Sequence, residues 1–585
     1  MCGIFALANY INNDVNFEFK TIEKIFHEGK GRGPEHSVLN PVSIDLLFGF
    51  HRLAINGLNK KSNQPITIGN ITLICNGEIY NYKELYKKMG VEPKTDSDCE
   101  VIIHLYLNFG IKQTLNLLDG VFAFILLDNN PEDTKFFIAR DPYGIRPMYV
   151  MQHKRKNSIF GFASEMKMLQ GFISLMKTQD DYVINHVTPG CFSLFQYPIR
   201  VLSKWKMSYQ EKYFNNVFSN ILFLNSAMSR SIPKFSHILP ILTNINTKLR
   251  SAVYKRCENT ERPVACLLSG GLDSSLICAL VCEYRTKHRL SRLETYSIGI
   301  EGSEDIKHAS IVAEYYNTKH TTLIISESEF LAAIPEVIRA IESYDTTTVR
   351  ASIGNYLLAK HISENSEAKV IFTGEGSDEM TGGYLYMNEA PNCIEFDREC
   401  KRLLDEIHMF DVLRCDKCIS THGLEPRVPF LDRDFSNYYM SIPIEFRYRS
   451  GSNPCFTYYK NTEKYLLRAA FDTEYIKGIE MLPRSILWRT KEAFSDGVTS
   501  QSKSLYEIIE EHVNSMEIED KLYVNNPPAT KEQLYYRNIF EQHYLGQSHV
   551  VPYYWMPKYV DAKDASARTL SIYKEHNTDL QERSL

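Results

Sequence analysis

Seven consecutive residues, Ser269-Gly270-Gly271-Leu272-Asp273-Ser274-Ser275, combine small size, three hydroxyls and one carboxylate. Adjacent glycines let backbone N–H groups approach an anion closely, and the hydroxyls add donors. The run Val264-Ala265-Cys266-Leu267-Leu268 before it reads as a buried strand, and Leu276, Ile277, Leu280 and Val281 after it recur at helical spacing. A strand, a glycine turn and a helix start aim free N–H groups and the positive helix end at one point. A carboxylate there repels phosphate unless a cation bridges the two, so Asp273 reads as a magnesium ligand. The alternative is a strand-to-helix turn that binds nothing. Without a Gly-Lys-Ser/Thr ending the loop is not a Walker A motif, and without G-x-S-x-G it is not a nucleophile elbow.

A second chemical centre lies at Cys2. Removal of Met1, which a small second residue permits, would place this thiol beside an α-amino group of ordinary pKa about 7.7–8.0, a base suited to neutral pH. His51-Arg52-Leu53-Ala54-Ile55 ends a strand with an arginine that can hold a carboxylate bidentately. Cys75-Asn76-Gly77-Glu78-Ile79 ends another with an amide and a flexible N–H, suited to an oxyanion hole. Asp96-Ser97-Asp98-Cys99-Glu100 supplies carboxylates before a helix, for binding or as an N-cap. Cys415-x-x-Cys418 has the spacing of a zinc half-site, with Cys393, Cys400, His408 and His422 near in sequence. No second pair completes it, so free structural cysteines are the reading.

The elements that must position these residues fall into two patterns. Up to about residue 200, short apolar or alternating runs (47–53, 71–75, 121–127, 136–139, 148–151 and 159–163) predict packed antiparallel sheets. Helical patterns interrupt them at 82–89 and 99–109. From about 236 an amphipathic helix (Ile238, Ile241, Leu242, Ile245, Leu249, Val253) opens a strand–helix alternation, with strands at 264–268, 294–300, 321–325 and 369–373. That alternation predicts a parallel sheet with helices on both faces. The chain of 585 residues is 44% hydrophobic and 23% charged, enough for two or more globular domains. A net charge of −5 gives no electrostatic reason to expect nucleic acid or an anionic membrane. No apolar run approaches the roughly 20 residues of a membrane span, no secretory signal is evident, and thirteen scattered cysteines suggest reduced thiols in the cytoplasm.

Several motifs carry a family resemblance. Cys2-Gly3-Ile4, Arg32-Gly33-Pro34-Glu35, 51–55, 76–81, Asp98-Cys99-Glu100, 118–124 and 139–147 resemble the glutaminase domain of class II amidotransferases. The resemblance implies an α+β N-terminal-nucleophile hydrolase, an αββα sandwich over 2–205, in which Cys2 attacks the glutamine amide. Arg52 with Leu53, Ala54, Ile55 and Asn56 would bind glutamine, Arg52 taking its α-carboxylate. Glu78 and Asp98 would hold its ammonium, and Asn76 and Gly77 the oxyanion. The 269–275 loop is similar to that of ATP pyrophosphatases. With 297–299, 344–352, 373–379, 422–432 and 489–497 it resembles the glutamine-hydrolysing asparagine synthetase family. Residues 554–558 and 566–570 look like the C-terminal part of its eukaryotic form.

That family implies L-glutamine, L-aspartate and ATP as substrates, Mg2+ held by Asp273 and Asp378, and Lys491 as a fixed cation. Leu267, Ser269, Gly270, Gly271, Leu272, Ser274, Ser275, Ile298, Thr373 and Gly374 would contact ATP, and Glu375 would act in adenylate formation and ammonia capture. Gly374-Glu375-Gly376 also reads as a tight turn. Arg350 and Arg427 are candidates for the aspartate carboxylates or members of structural ion pairs. The expected layout is a connection over 206–235, an ATP-binding domain over 236–545 and an extension over 546–585, in a possible homodimer. Thr373 stands where serine is expected and Glu35 where aspartate is commoner; Pro426 removes a backbone donor beside Arg427. A β-lactam-forming relative with another acceptor would lack the nucleophile, and a non-catalytic relative would lack these residue sets.

Overall fold

The computed structural model describes residues 1–11, 17–156, 158–176, 179–198, 203–215, 235–448, 462–489, 491, 497–499, 503–562 and 564–566. Twelve strands form the N-terminal part: β1 (Gly3–Ala8), β2 (His36–Ser43), β3 (Leu46–Arg52), β4 (Ile66–Ile68), β5 (Ile71–Ile79), β6 (Gly120–Asn130), β7 (Asp133–Arg140), β8 (Tyr149–His153), β9 (Phe160–Ala163), β10 (Tyr182–His186), β11 (Cys191–Gln196) and β12 (Lys206–Lys212). They make two six-stranded antiparallel sheets, ordered β10-β8-β9-β1-β3-β2 and β12-β11-β7-β6-β5-β4. Strand alternation sorts their side chains. Ile4, Ala6, Phe48, Phe50, Ile74, Ile125 and Phe136 pack between the sheets. Phe5 and Leu7 point the other way, onto helices Phe19–Phe26 and Met166–Ile173. Leu73 and Cys75 face helices Tyr82–Met89 and Val101–Leu117. The result is an αββα sandwich.

The expected connection opens with β12, paired to β11 as an edge strand; residues 216–234 lie outside the described residues. The helix Phe235–Glu258 then leads into a five-stranded sheet of β13 (Val264–Leu267), β14 (Glu294–Gly299), β15 (Lys319–Ile324), β16 (Val370–Phe372) and β17 (Glu425–Arg427). All its pairings are parallel, in the order β15-β14-β13-β16-β17. Chain order runs one way from β13 to β15 and reverses at β16. The crevice at the carboxyl ends of β13 and β16 is therefore the switch point where ligands of such sheets bind. Pro426 sits in the edge strand β17, where a missing donor is tolerated.

Candidate active sites

A cavity of about 230 Å3 opens at that switch point. Leu267, Ser269, Gly271, Leu272, Asp273, Ser274, Ile298, Thr373, Gly374, Glu375, Asp378 and Lys491 all line it. Gly271 caps the helix Leu272–Lys287 without a side-chain acceptor, leaving the first N–H groups for an anion. Ser269 Oγ accepts from Gly271 N at 3.3 Å and lies 3.0 Å from Ser274 Oγ, which fixes the turn. Gly374 presses on this loop so closely that a Cβ would sit 2.8 Å from Ser274 N and 2.9 Å from Asp273 Cβ. Two loop members do not reach the cavity. Gly270, at φ 72°, backs onto helix Glu304–Tyr315. Ser275 is buried, its hydroxyl unpartnered among the described residues.

The charges at the loop form one cluster. Lys464 Nζ lies 2.5 Å from Asp273 Oδ2 and 2.6 Å from Asp378 Oδ1, and Lys491 Nζ lies 2.7 Å from Asp378 Oδ2. Burial alone would raise the Asp378 carboxyl, but the two ammonium groups outweigh it and hold it well below the usual range. The same carboxylates, against burial, raise Lys491. Asp273 and Asp378 thus already share one cation. Two carboxylates completed by substrate phosphates are a donor set suited to Mg2+; among the described residues no third His, Cys, Asp or Glu joins them. Lys464 was not singled out by sequence: it belongs to no motif and sits alone at φ 56° before helix Tyr465–Ala469.

Glu375 accepts from Arg414 Nη2 at 2.9 Å. Burial raises its carboxyl, Arg414 opposes the shift and Asp411 adds to it. Neither Arg350 nor Arg427 lines the cavity, and both sit in ion pairs, the second of the two readings open to them. Arg350 is gripped by Glu532 (2.8 Å at Nε) and Asp564 (2.8 Å at Nη1), which occupy both edges of its guanidinium. Arg427 is buried against Glu425 (2.9 Å), Glu78 (3.5 Å) and the Asn259 carbonyl (2.8 Å). Arg414 is the arginine beside Glu375. Thr373 turns its hydroxyl to Cys415 Sγ at 3.6 Å, and Cys418 Sγ donates to Ser352 O at 3.5 Å. Both cysteines are buried and free.

At the other site, Cys2 leads into β1 and its Sγ donates to Leu53 O at 3.6 Å. Met1 is buried ahead of it, and burial lowers its amino group to about 6. Arg52 reaches Asn59 O (3.0 Å), Asn63 Oδ1 (2.5 Å) and the Asn56 and Gly57 carbonyls. These partners are neutral, so its charge stays available to a carboxylate. Ala54 N donates to Glu35 Oε2, Ile55 O accepts from Glu261 N, and Asn56 Nδ2 donates to Glu78 Oε2 at 2.7 Å. Asn76 is buried with Oδ1 unpartnered among the described residues and Nδ2 only 3.5 Å from Ser164 Oγ. A Cβ on Gly77 would lie 2.4 Å from Val121 O across the sheet. Asp98 accepts from Ile79 N at 2.6 Å, while Ser97 caps the following turn. Burial raises Asp98 to about 6; burial, Asp98 and Glu425 also raise the Glu78 carboxyl well above its ordinary range.

Arg32 joins the sites. Its Nε donates to Cys2 O at 3.1 Å, and Nη1 lies 2.7 Å from Glu165, 2.7 Å from Asp416 and 2.8 Å from Ser420 Oγ. Asp416 and Ser420 belong to helix Asp411–Ser420, which also carries Arg414.

A thiol at the head of an αββα sandwich and an anion cradle at the switch point of a parallel sheet define a two-site amidotransferase–synthetase. Residues 1–200 match the glutamine amidotransferase domain family, and residues 244–397 and 394–564 match the asparagine synthase family. The chain is 40% identical to the glutamine-hydrolysing asparagine synthetase of Gallus gallus and 38% identical to that of Homo sapiens. Each alignment covers 98% of this chain and 99% of the relative. This chain belongs to the glutamine-hydrolysing asparagine synthetase family. Among solved structures, NMN synthetase from Francisella tularensis is 14% identical over 59% of this chain and 96% of that one, at a TM-score of 0.23.

Proposed function

We propose that this chain makes asparagine from aspartate, taking nitrogen from glutamine and cleaving ATP to AMP and pyrophosphate. The observation that carries the reading is the cluster of Asp273, Asp378, Lys464 and Lys491 at an uncapped helix start. It suits a departing polyanion, as adenylation requires.

With Met1 removed, the Cys2 thiol attacks the glutamine amide carbon. Arg52 takes the α-carboxylate, with Leu53 to Asn56 around it, and Asp98 and Glu78 take the ammonium. The Asn76 amide and Gly77 N–H receive the oxyanion; ammonia leaves, and water releases glutamate from the thioester. In the second domain an aspartate β-carboxylate oxygen attacks the α-phosphorus, and pyrophosphate departs toward the loop N–H groups, Lys464 and Lys491. Mg2+ held by Asp273 and Asp378 would supply further charge stabilisation. Leu267 and Ile298 accompany the nucleotide, and Arg414, paired with both Glu375 and Asp411, holds the Glu375 carboxylate in place. Ammonia attacks the acyl carbon, AMP leaves, and Glu375, poised by burial, takes the proton. Twelve free cysteines among the described residues accord with a cytoplasmic setting, and a homodimer is a further expectation that sedimentation would test.

The test supplies aspartate, glutamine and Mg-ATP and quantifies products. Asparagine, glutamate, AMP and pyrophosphate are expected; ADP and phosphate would overturn the adenylate route. Cys2→Ala should abolish glutamine use and leave synthesis from ammonium, and loss of both would contradict separate sites.

A further inference from the structure

The synthetase cavity has a wall that comes from far along the chain. Trp555, Pro557 and Ala565 line it together with Tyr384 and Tyr386. The segment carrying them is tied down at three places. Trp555 N donates to Asp345 Oδ1 at 2.7 Å, and its carbonyl accepts from Thr347 Oγ1 at 3.4 Å. The other oxygen of Asp345 caps helix Thr346–Asn365, so this anchor is itself rigid. Lys558 Nζ lies 2.8 Å from Glu399, and Asp564 lies 2.8 Å from Arg350, whose other edge Glu532 holds. The indole is 8% exposed and packs on Tyr384 and Tyr386 at centroid distances of 5.4 and 5.9 Å.

On the asparagine-forming reading, this cavity must hold an acyl adenylate until ammonia arrives. Water can attack the same acyl carbon: the carbon–oxygen bond to phosphorus breaks, AMP leaves with the electron pair, aspartate is regenerated and a proton goes to solvent. Glu375, Asp411 and Arg414 are all hydrophilic and line the same space, so they do not keep water out. The indole, the two phenol rings and the proline ring supply the apolar surface. Fixed as it is by backbone and ionic ties, that surface excludes water without an ordering step in each turnover. We propose that residues 553–562 and 564–566 form the water-excluding wall of the synthetase site, with Trp555 as its principal apolar side chain.

The test measures AMP against asparagine for the full chain, with ammonium as nitrogen donor, aspartate and Mg-ATP. Wild type should form the two in about equal amounts. Trp555→Ala should form severalfold more AMP than asparagine, and Trp555→Phe should restore most of the balance. Glutamine hydrolysis, catalysed in the sandwich, should persist in both and reports on folding. Asp564→Asn loosens the segment without altering its apolar face and should shift the ratio the same way, less strongly; it serves if Trp555→Ala is insoluble. Equal AMP and asparagine in Trp555→Ala, even with both reduced, would overturn the wall, as would an unchanged ratio in Asp564→Asn. Absence of AMP from wild type would overturn the asparagine-forming reading instead.

Discussion

Replacing Lys464 with methionine removes an ammonium from between Asp273 and Asp378 while keeping a side chain of similar length. Lys464 is 3% exposed, with contacts of 2.5 and 2.6 Å to the two carboxylates. Lys491 remains 2.7 Å from Asp378 but 4.0 Å from Asp273. Asp378 therefore keeps a close cation and Asp273 loses its own. Stranding a fully buried charge costs about 3–5 kcal/mol, and the half-buried Asp273 sits toward the low end of that range. Removing one group aimed at a developing anion costs about 10²–10³-fold in rate. The two estimates overlap, since about 1.4 kcal/mol is tenfold. Adenylation in Lys464→Met should fall by about 10²–10³-fold. The assay is pyrophosphate release from aspartate and Mg-ATP with ammonium as donor, so that Cys2 plays no part. Raised Mg2+ should recover some of the loss, because a divalent ion can serve the same carboxylates. Glutamine hydrolysis should be unchanged. Wild-type pyrophosphate release with unaltered Mg2+ dependence would refute the assignment of this lysine to the pyrophosphate site.

Gly374→Ala should lower adenylation about 10²-fold, because its Cβ would collide with Ser274 N and displace phosphate donors by several tenths of an ångström. Ammonium-driven turnover reads this directly, with glutamine hydrolysis as control. Asp98, raised to about 6 by burial, must be ionised to hold the glutamine ammonium. The KM for glutamine should therefore climb about tenfold per unit as pH falls below about 6. Burial lowers His51 to about 4, so the folded protein keeps it neutral where the unfolded chain would protonate it. Its contribution is complete above pH 6.5 and is lost as pH falls from 6.5 to about 4, by about 3 kcal/mol. Denaturation of the sandwich by urea across that range should show the slope, and His51→Asn should flatten it.

Periodicity found most of the long, doubly buried strands, though not β1. β5, β6, β13, β14 and β16 stand at the apolar runs, because their two neighbours leave little polar surface. The edge strands β2, β12 and β17 escaped: β2 is half-exposed, β12 is almost wholly exposed and polar, and β17 is three residues with a central proline. At the sites, the glycine loop was legible because close approach demands small residues. Partners were not. Arg350 reads equally as an aspartate ligand or an ion-pair member until Glu532 and Asp564 arrive from 182 and 214 positions away. Lys464 is one lysine among many, and only the fold puts it on two aspartates. Residues 492–496, part of a quoted motif, lie outside the described residues.

The fork of Arg32 bears on how this protein can be taken apart. One guanidinium tethers the carbonyl of Cys2 and draws its counter-charge and a hydroxyl from the other domain. A glutaminase half expressed alone would keep Glu165 but leave the rest of that guanidinium facing solvent. The two halves are thus not portable modules, for all that each has its own core. Swapping either for a relative's counterpart should work only where the new helix brings an acid and a hydroxyl at the places of Asp416 and Ser420.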